Sequence, residues 1–195
     1  MRAEVTRRGV HAAGAVFPLS YVVGPLTWRQ LGWLLLGGVG VVLALEAGRL
    51  SGRLQLWIYD ALTREYEQRG LAGYALYFVS MTFVAWTFPP AAAVPGMLML
   101  AIGDPIGGLL GAGELRSVKR GRVLLATFGT CLLLAWPFVA AFPAVLGALA
   151  ATLADGAKPV VKGYVVDDNL TIPPAAATAI TAGGWLLSLA SALPE

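Results

Sequence analysis

The chain has 195 residues, of which 57% are hydrophobic and 13% are charged. Soluble domains carry about 25% charged residues, so this composition excludes an ordinary soluble domain and predicts that lipid covers most of the surface. The net charge is +3, but the basic residues stand in short runs between apolar segments, which favours membrane topology over nucleic-acid binding. A lone Cys131 in an apolar run excludes an intramolecular disulfide and a cysteine-cluster metal site.

A spanning helix needs about 20 mostly apolar residues. On that basis the sequence predicts one all-α, polytopic membrane domain over residues 1–195, with seven transmembrane helices. Residues 49–69 alternate apolar and charged side chains, which predicts an amphipathic helix lying at the membrane surface. The predicted spans are residues 11–27, 31–48, 71–88, 91–110, 123–139, 143 to about 161, and 171–193.

The Lys and Arg residues predict the orientation of these spans. All of them except Arg29 fall in the N-terminal tail or in alternate connections, on one side of the membrane. By the positive-inside rule, the N-terminus is expected in the cytoplasm and the C-terminus outside. The basic residues 1–10 are not followed by a compact apolar region with a cleavage site, so no cleaved signal peptide is predicted.

The most polar stretch stands directly before the last span. Asp167, Asp168 and Asn169 are followed by Leu-Thr-Ile-Pro-Pro, and carboxylate and amide oxygens suit Mg²⁺, whose shell substrate phosphates often complete. The alternative is a capped helix start with Asn169 as the N-cap, Thr171 near the first turn and prolines at positions that a helix tolerates. Capping accounts for one polar residue rather than three, so the sequence favours a cation or phosphate site.

Other carboxylates fall at the same predicted depth. Glu46, Glu67, Asp104 and Asp155 all lie at or near the cytoplasmic ends of predicted spans, and ionisable residues inside spans usually mark sites or pathways. A small transporter is one alternative, but its site is expected near the bilayer midplane between two repeated halves. The odd number of spans and the lack of an internal repeat favour an enzyme at the cytoplasmic face.

A Gly-Asp-Pro string in the fourth span predicts a helix break at that depth. Gly103, Gly107 and Gly108 flank Asp104, and glycines let backbone amides approach a ligand closely. Ordinary turn chemistry or helix contacts are the alternative. The loop that follows supplies Lys119 and Arg120, which either bind phosphate or only set topology.

Together these motifs resemble the dolichol kinase, phytol kinase and CTP-dependent diacylglycerol kinase superfamily. The resemblance is carried by four strings: Arg-Arg-Gly-Val-His at 7–11, Arg-Glu-Tyr-Glu at 64–67, Gly-Asp-Pro at 103–105, and Asp-Asn-Leu-Thr-Ile-Pro at 168–173. The last of these is the most specific. The Lys-Ser-x-x-Gly-Ser-like string usual in the family after the basic loop is absent, and Asp155 stands where the family tends to have Glu.

The resemblance implies CTP-dependent phosphorylation of a membrane lipid alcohol, first of the dolichol or polyprenol type and next of the diacylglycerol type. It implies Mg²⁺ or another divalent cation, and no nucleic-acid partner. A CTP-using cytidylyltransferase is a further alternative, although its Lys-Arg…Lys-Asp signature is not found near the C-terminal spans. The expected catalytic residues are Asp104, Glu67, Asp155 and Asp168, with Glu67 or Asp155 as the base. The expected metal ligands are Asp104, Asp168 and Asn169. The expected nucleotide and phosphate contacts are Gly103, Gly107, Gly108, Lys119, Arg120, Asn169, Arg8 and His11.

Overall fold

The structure, a computed structural model, describes residues 2–54, 59, 63, 67–68, 70–111, 120–157, 160–161 and 164–192. These residues are almost entirely helical, which confirms the predicted all-α class. A two-residue antiparallel pair separates the last two helices. The elements are α1 (Arg2–Ala13), α2 (Val16–Val22), α3 (Trp28–Leu50), α4 (Gly73–Thr87), α5 (Pro90–Leu98), a π-helical turn (Met99–Gly103), α6 (Asp104–Leu110), α7 (Gly121–Ala135), α8 (Ala141–Gly156), β1 (Val160–Val161), β2 (Tyr164–Val165) and α9 (Asp168–Ser191).

Among the described residues, three helices are long and apolar enough to cross a membrane: α3, the continuous helix Pro90–Leu110, and α9. The helices α7 and α8 are apolar but shorter, so the predicted seven spans are not confirmed. Large apolar side chains face outward along these helices, including Leu133 at 76% exposure and Trp185 at 68%. Apolar patches of this kind mark a surface that contacts lipid or protein. The predicted surface helix at 49–69 lies mostly outside the described residues.

The first predicted span is wrong as one continuous helix, because the chain turns between α1 and α2. Pro18 has no N–H to donate to the carbonyl of Gly14, and that carbonyl accepts a hydrogen bond from Phe17 N at 3.1 Å instead. The bond from i to i+3 tightens the turn. Gly14 also lies against the Tyr77 hydroxyl, where a β-carbon would collide. The chain therefore bends where His11 and the arginines before it approach α4.

The sixth predicted span is also too long. The helix α8 ends at Gly156, and the chain then enters the β1–β2 pair, in which Val160 is opposite Val165 and Val161 is opposite Tyr164. Pro159 follows three residues after the helix end, and a proline disfavours helical backbone in the residue before it. The early stop places Asp155 in the last turn of α8, close to the start of α9.

The helix α9 lies at the centre of the fold and packs against α8, α5 and α4, while α3 packs on α4 and α7 on α8. Small residues allow the close approaches. Gly96 of α5 faces the carbonyl of Pro173, and Gly147 of α8 faces the side chain of Ile180. Small residues at helix contacts are the usual basis of helix packing in membranes. This packing brings the first turn of α9, the last turn of α8 and the start of α6 together.

Candidate functional site

Three aspartates from three helices meet in the interior. Carboxylate oxygens of Asp104, Asp155 and Asp168 all lie within 4.8 Å of one another, and Asp155 and Asp168 are 1% and 2% exposed. Like charges this close disfavour one another strongly when buried. A divalent cation is the group that such an oxygen set accepts. The predicted convergence of Asp104, Asp155 and Asp168 is therefore seen in the structure, with Asp155 beside the two expected ligands.

The first turn of α9 orients the third member of the cluster. Asp167, rather than Asn169, is the N-cap: its Oδ1 accepts hydrogen bonds from Asn169 N at 3.0 Å and from Asn169 Nδ2 at 2.5 Å. A side-chain cap was therefore correctly predicted as the alternative, but the capping residue is Asp167 and not Asn169. Because Asp167 caps the helix, the Asp168 carboxylate is not needed as the cap, and it lies in the cluster with Asp104 and Asp155. The Asn169 Oδ1 atom is buried without a hydrogen-bond partner among the described residues, which fits an oxygen directed toward a ligand.

The prolines of the motif, Pro173 and Pro174, lie inside α9. Pro173 cannot donate to the carbonyl of Asn169 four residues earlier. That carbonyl accepts a 2.6 Å hydrogen bond from the buried Ser80 hydroxyl on α4. A buried carbonyl without a partner is costly. The Ser80 hydroxyl therefore supplies the missing hydrogen bond of the helix and holds the main chain of Asn169 against α4.

The predicted helix break at the Gly-Asp-Pro string is a π-helical turn instead. The Asp104 amide donates to Met99 O, five residues earlier, and in that register the next carbonyl, that of Leu100, would pair with residue 105. Pro105 offers no N–H there. The Leu100 carbonyl lies 3.0 Å from Nε2 of His11, which is a donor in the matching tautomer. A π-turn of this kind often marks a functional site, and here it places Asp104 beside α1.

His11 therefore holds α1 against the π-turn. Its ring makes an edge contact with Tyr77 at 4.7 Å between centroids, and its Nε2 lies 3.7 Å from Asp104 Oδ2. The helix α1 is outside the three candidate spans, and burial lowers the pKa of His11 although the charge of Asp104 opposes the shift. His11 is thus a hydrogen-bonding residue of the cavity wall, and its expected phosphate contact stays a prediction.

The glycines of this string make room for side chains from other helices. A β-carbon at Gly108 would lie 1.5 Å from the Arg8 guanidinium, and one at Gly103 would lie 3.0 Å from Cys131 Sγ. Arg8 Nη1 also donates to the carbonyl of Pro105 at 3.4 Å. Gly107 is buried between them in α6. Their lack of a side chain thus serves helix contacts, and their predicted role in phosphate binding stays a prediction.

A cavity of about 290 Å³ lies between α1–α2 and α4 and extends to α6 and α9. Asp104 belongs both to the carboxylate cluster and to the wall of this cavity. The polar part of the wall also includes Arg7, Arg8, Glu67 and Asn169. Charged and amide groups that converge on one concave space, beside a cluster that fits a cation, form the candidate functional site.

Glu67 is buried, and a network behind it fixes the segment that carries it. The Arg49 guanidinium donates to both carboxylate oxygens of Glu46, at 2.8 and 2.6 Å, and to the carbonyls of Glu67 and Gly70 at 3.3 and 2.7 Å. Glu46 also accepts from Ala72 N at 2.9 Å. Glu46, which the sequence grouped with the other carboxylates, therefore belongs to this hydrogen-bond network and not to the carboxylate cluster of Asp104, Asp155 and Asp168.

The two remaining predicted residues are less informative. Lys119 lies outside the described residues. Arg120 precedes α7 and is exposed, and it is not among the described residues that line the cavity. Its expected phosphate contact stays a prediction. Arg7 and Arg8 are the described cations that the structure brings to the cavity wall.

Sequence reasoning missed the aromatic part of the cavity. Tyr77, Phe78 and Phe17 line it, yet aromatic residues near span ends are also typical of the membrane interface. The available signal was the spacing of Tyr77 and Phe78 from Gly73 along α4, whereas Phe17 comes from α2. Gly73 itself is close to the site, because a β-carbon there would lie 2.8 Å from Asn169 Nδ2 and 3.4 Å from Glu67 Oε1.

No protein-family model matches the chain, and neither a curated protein nor a solved structure matches it.

Proposed function

We propose that this chain is an integral membrane kinase that transfers the γ-phosphoryl group of CTP to the hydroxyl group of a lipid alcohol. The observation that carries the proposal is the carboxylate cluster of Asp104, Asp155 and Asp168, which through Asp104 borders a cavity whose wall includes Arg7 and Arg8. Cation, phosphate and acceptor would then meet within one site. The family resemblance of the motifs supplies the reaction class and the nucleotide.

The donor set fits Mg²⁺ as the resident ion. Three carboxylates within 4.8 Å of one another provide hard oxygen ligands, and the buried Oδ1 of Asn169 has no hydrogen-bond partner among the described residues. In this assignment Asp155 joins the expected ligands Asp104 and Asp168 as the third carboxylate, and the Asn169 amide oxygen stays a further candidate ligand. A bound Mg²⁺ would neutralise phosphate charge and orient the nucleotide.

The side chains around the cavity have separate roles in the proposed transfer. The acceptor oxygen forms a bond to the γ-phosphorus, the bond from that phosphorus to the β,γ-bridging oxygen breaks, and CDP leaves. Glu67 accepts the proton of the hydroxyl group, because Asp155 belongs to the metal-binding cluster. Arg7 and Arg8 offset the charge on the phosphoryl oxygens. Positioning and charge neutralisation of this kind supply most of the catalysis in phosphoryl transfer.

Two parts of the proposal rest on the sequence alone. CTP as the donor follows from the family resemblance, and no Walker-type loop is present in the sequence to favour ATP. The cytoplasmic position of the site follows from the distribution of Lys and Arg. The three candidate spans among the described residues agree with a membrane protein.

The deciding experiment uses the purified full chain in detergent with Mg²⁺, a panel of lipid alcohols, and CTP labelled either at the γ- or at the α-phosphorus. We expect the γ-label, and not the α-label, in the lipid product, and a much lower rate with ATP at equal concentration. Transfer of the α-label would identify a cytidylyltransferase instead. No transfer of either label to any alcohol in the panel would contradict the proposal.

A further inference from the structure

The cavity changes in character along α4. Its wall begins at Gly73, where the amide of Asn169 and the carboxylate of Glu67 are near neighbours, and it ends at Phe78. At 1.5 Å per residue these positions are about 7.5 Å apart. One end of the cavity is therefore charged and the other end is aromatic, and the distance between the two ends is only a few covalent bond lengths. A ligand that fits both ends has a polar group joined to a hydrocarbon.

The turn between α1 and α2 forms the aromatic end. Phe17 of α2 and Phe78 of α4 make an edge contact at 5.4 Å between ring centroids, and Phe78 packs on α3 where a β-carbon at Gly38 would collide with it. Tyr77 is held between Gly14 and the ring of His11. The aromatic wall therefore depends on the bend in the N-terminal helix pair, which Pro18 and Gly14 produce.

We propose that this aromatic end is the site for the acceptor's hydrocarbon chain, so that the bend between α1 and α2 binds the first part of one chain and directs its hydroxyl group toward Glu67 and Asp104. This inference rests on the proposed function and adds a location to it. The volume of about 290 Å³ is just below the roughly 300–1,000 Å³ typical of ligand sites. One chain fits such a space better than the two ester-linked chains of a diacylglycerol.

Two exposed positions at this bend give a matched pair of variants. Ala13 is exposed and lines the cavity, whereas Val16 is 61% exposed and does not line it. Ala13→Phe places a ring in the cavity, and Val16→Phe adds a ring at the same turn but outside the cavity. Neither residue belongs to the proposed catalytic or metal-binding groups.

The experiment measures binding without phosphoryl transfer. A single-chain isoprenoid alcohol carrying a diazirine near its hydroxyl end is photo-crosslinked to the purified full chain, without nucleotide, and the labelled peptides are identified. We expect labels in the peptides that contain residues 10–17 or 73–78. Labelling should fall by about tenfold, which corresponds to 1.4 kcal/mol, in Ala13→Phe and remain unchanged in Val16→Phe. Unlabelled single-chain alcohol should compete, and diacylglycerol should not.

The outcomes separate this inference from the proposed function. Labels confined to other peptides, equal labelling of the two variants, or equal competition by diacylglycerol would each overturn the inference, whether or not the kinase assay succeeds. Labelling as expected together with a failed kinase assay would support the chain site and contradict the kinase. If Ala13→Phe does not fold, the peptide map and the competition in the unmodified chain still decide.

Discussion

The hydroxyl group of Ser80 donates a 2.6 Å hydrogen bond to the main-chain carbonyl of Asn169, and this contact compensates for the missing N–H of Pro173. His11 pairs with the carbonyl of Leu100 in the same way, because Pro105 has no N–H to donate to it. In both places a proline within a helix leaves a carbonyl open, and a side chain from a neighbouring helix pairs with it. The first hydrogen bond fixes the main chain of Asn169 against α4, and the second fixes the turn that carries Asp104 against α1.

The first prediction concerns Ser80→Ala. The change leaves the buried Asn169 carbonyl without its donor, and an unsatisfied buried group costs about 1–3 kcal/mol. We expect a lower thermal stability in detergent. Ser188→Ala is the matched control, because Ser188 is exposed and bonds only to the carbonyl of Trp185 in its own helix. Equal stability of the two variants would show that the Asn169 carbonyl finds another partner.

The second prediction concerns the pair of Glu46 and Arg49. Glu46 is 1% exposed, and removal of one partner of a buried ion pair costs about 3–5 kcal/mol because the other charge is left uncompensated. Arg49→Lys keeps the charge but cannot reproduce the fork that reaches Glu46 and the carbonyls of Glu67 and Gly70. We expect Arg49→Lys and Glu46→Gln to lower the thermal stability and, through the displaced Glu67 segment, the rate of lipid phosphorylation.

Arg29→Lys provides the control for this second prediction. Arg29 is exposed in the first turn of the same helix, so the same change of side chain should alter stability by no more than about 0.5 kcal/mol. If Arg49→Lys were as stable and active as Arg29→Lys, the network behind Glu67 would have no positioning role.

The sequence predicted the parts of this fold that depend on local chemistry. The predicted span at 31–48 lies within α3, which a capping box of Thr27 and Gln30 starts three residues earlier. The predicted boundary between residues 88 and 91 falls at Pro89, the N-cap of α5. The carboxylate cluster was also foreseen in outline, since apolar spans leave few places for Asp104, Asp155 and Asp168.

Features that depend on tertiary neighbours were not predictable in this way. The π-turn is tolerated because His11 reaches Leu100, and the interior prolines of α9 are tolerated because Ser80 reaches Asn169. Neither partner is close in sequence. Glu46 could not be separated from the other carboxylates either, because its role is set by Arg49 one turn later and by the amide of Ala72 in the next helix. The aromatic end of the cavity depends on the turn between α1 and α2, which hydropathy alone does not predict.

The last prediction tests the carboxylate cluster through cation binding and stability. If Asp168 is a ligand of the divalent ion, Asp168→Asn should remove most of the thermal stabilisation that Mg²⁺ or Mn²⁺ gives, which for the unmodified chain is about 2.7 kcal/mol at a cation concentration of 100 times Kd. Without the cation the same variant should be at least as stable as the unmodified chain, because one of three crowded negative charges is gone. Asp155→Asn should behave in the same way.

The control for the cluster is Asp167→Asn, because Asp167 caps α9 through Asn169 N and Asn caps a helix about as well as Asp. This variant should keep both the cation-dependent stabilisation and the rate of lipid phosphorylation, whereas Asp168→Asn should lose both while remaining folded. Thermal unfolding with and without Mn²⁺ and the γ-label assay measure the two effects separately. The two variants each remove one negative charge from adjacent residues, but only Asp168 lies in the cluster with Asp104 and Asp155. If Mn²⁺ stabilised Asp168→Asn as much as Asp167→Asn, a metal role for Asp168 would be ruled out.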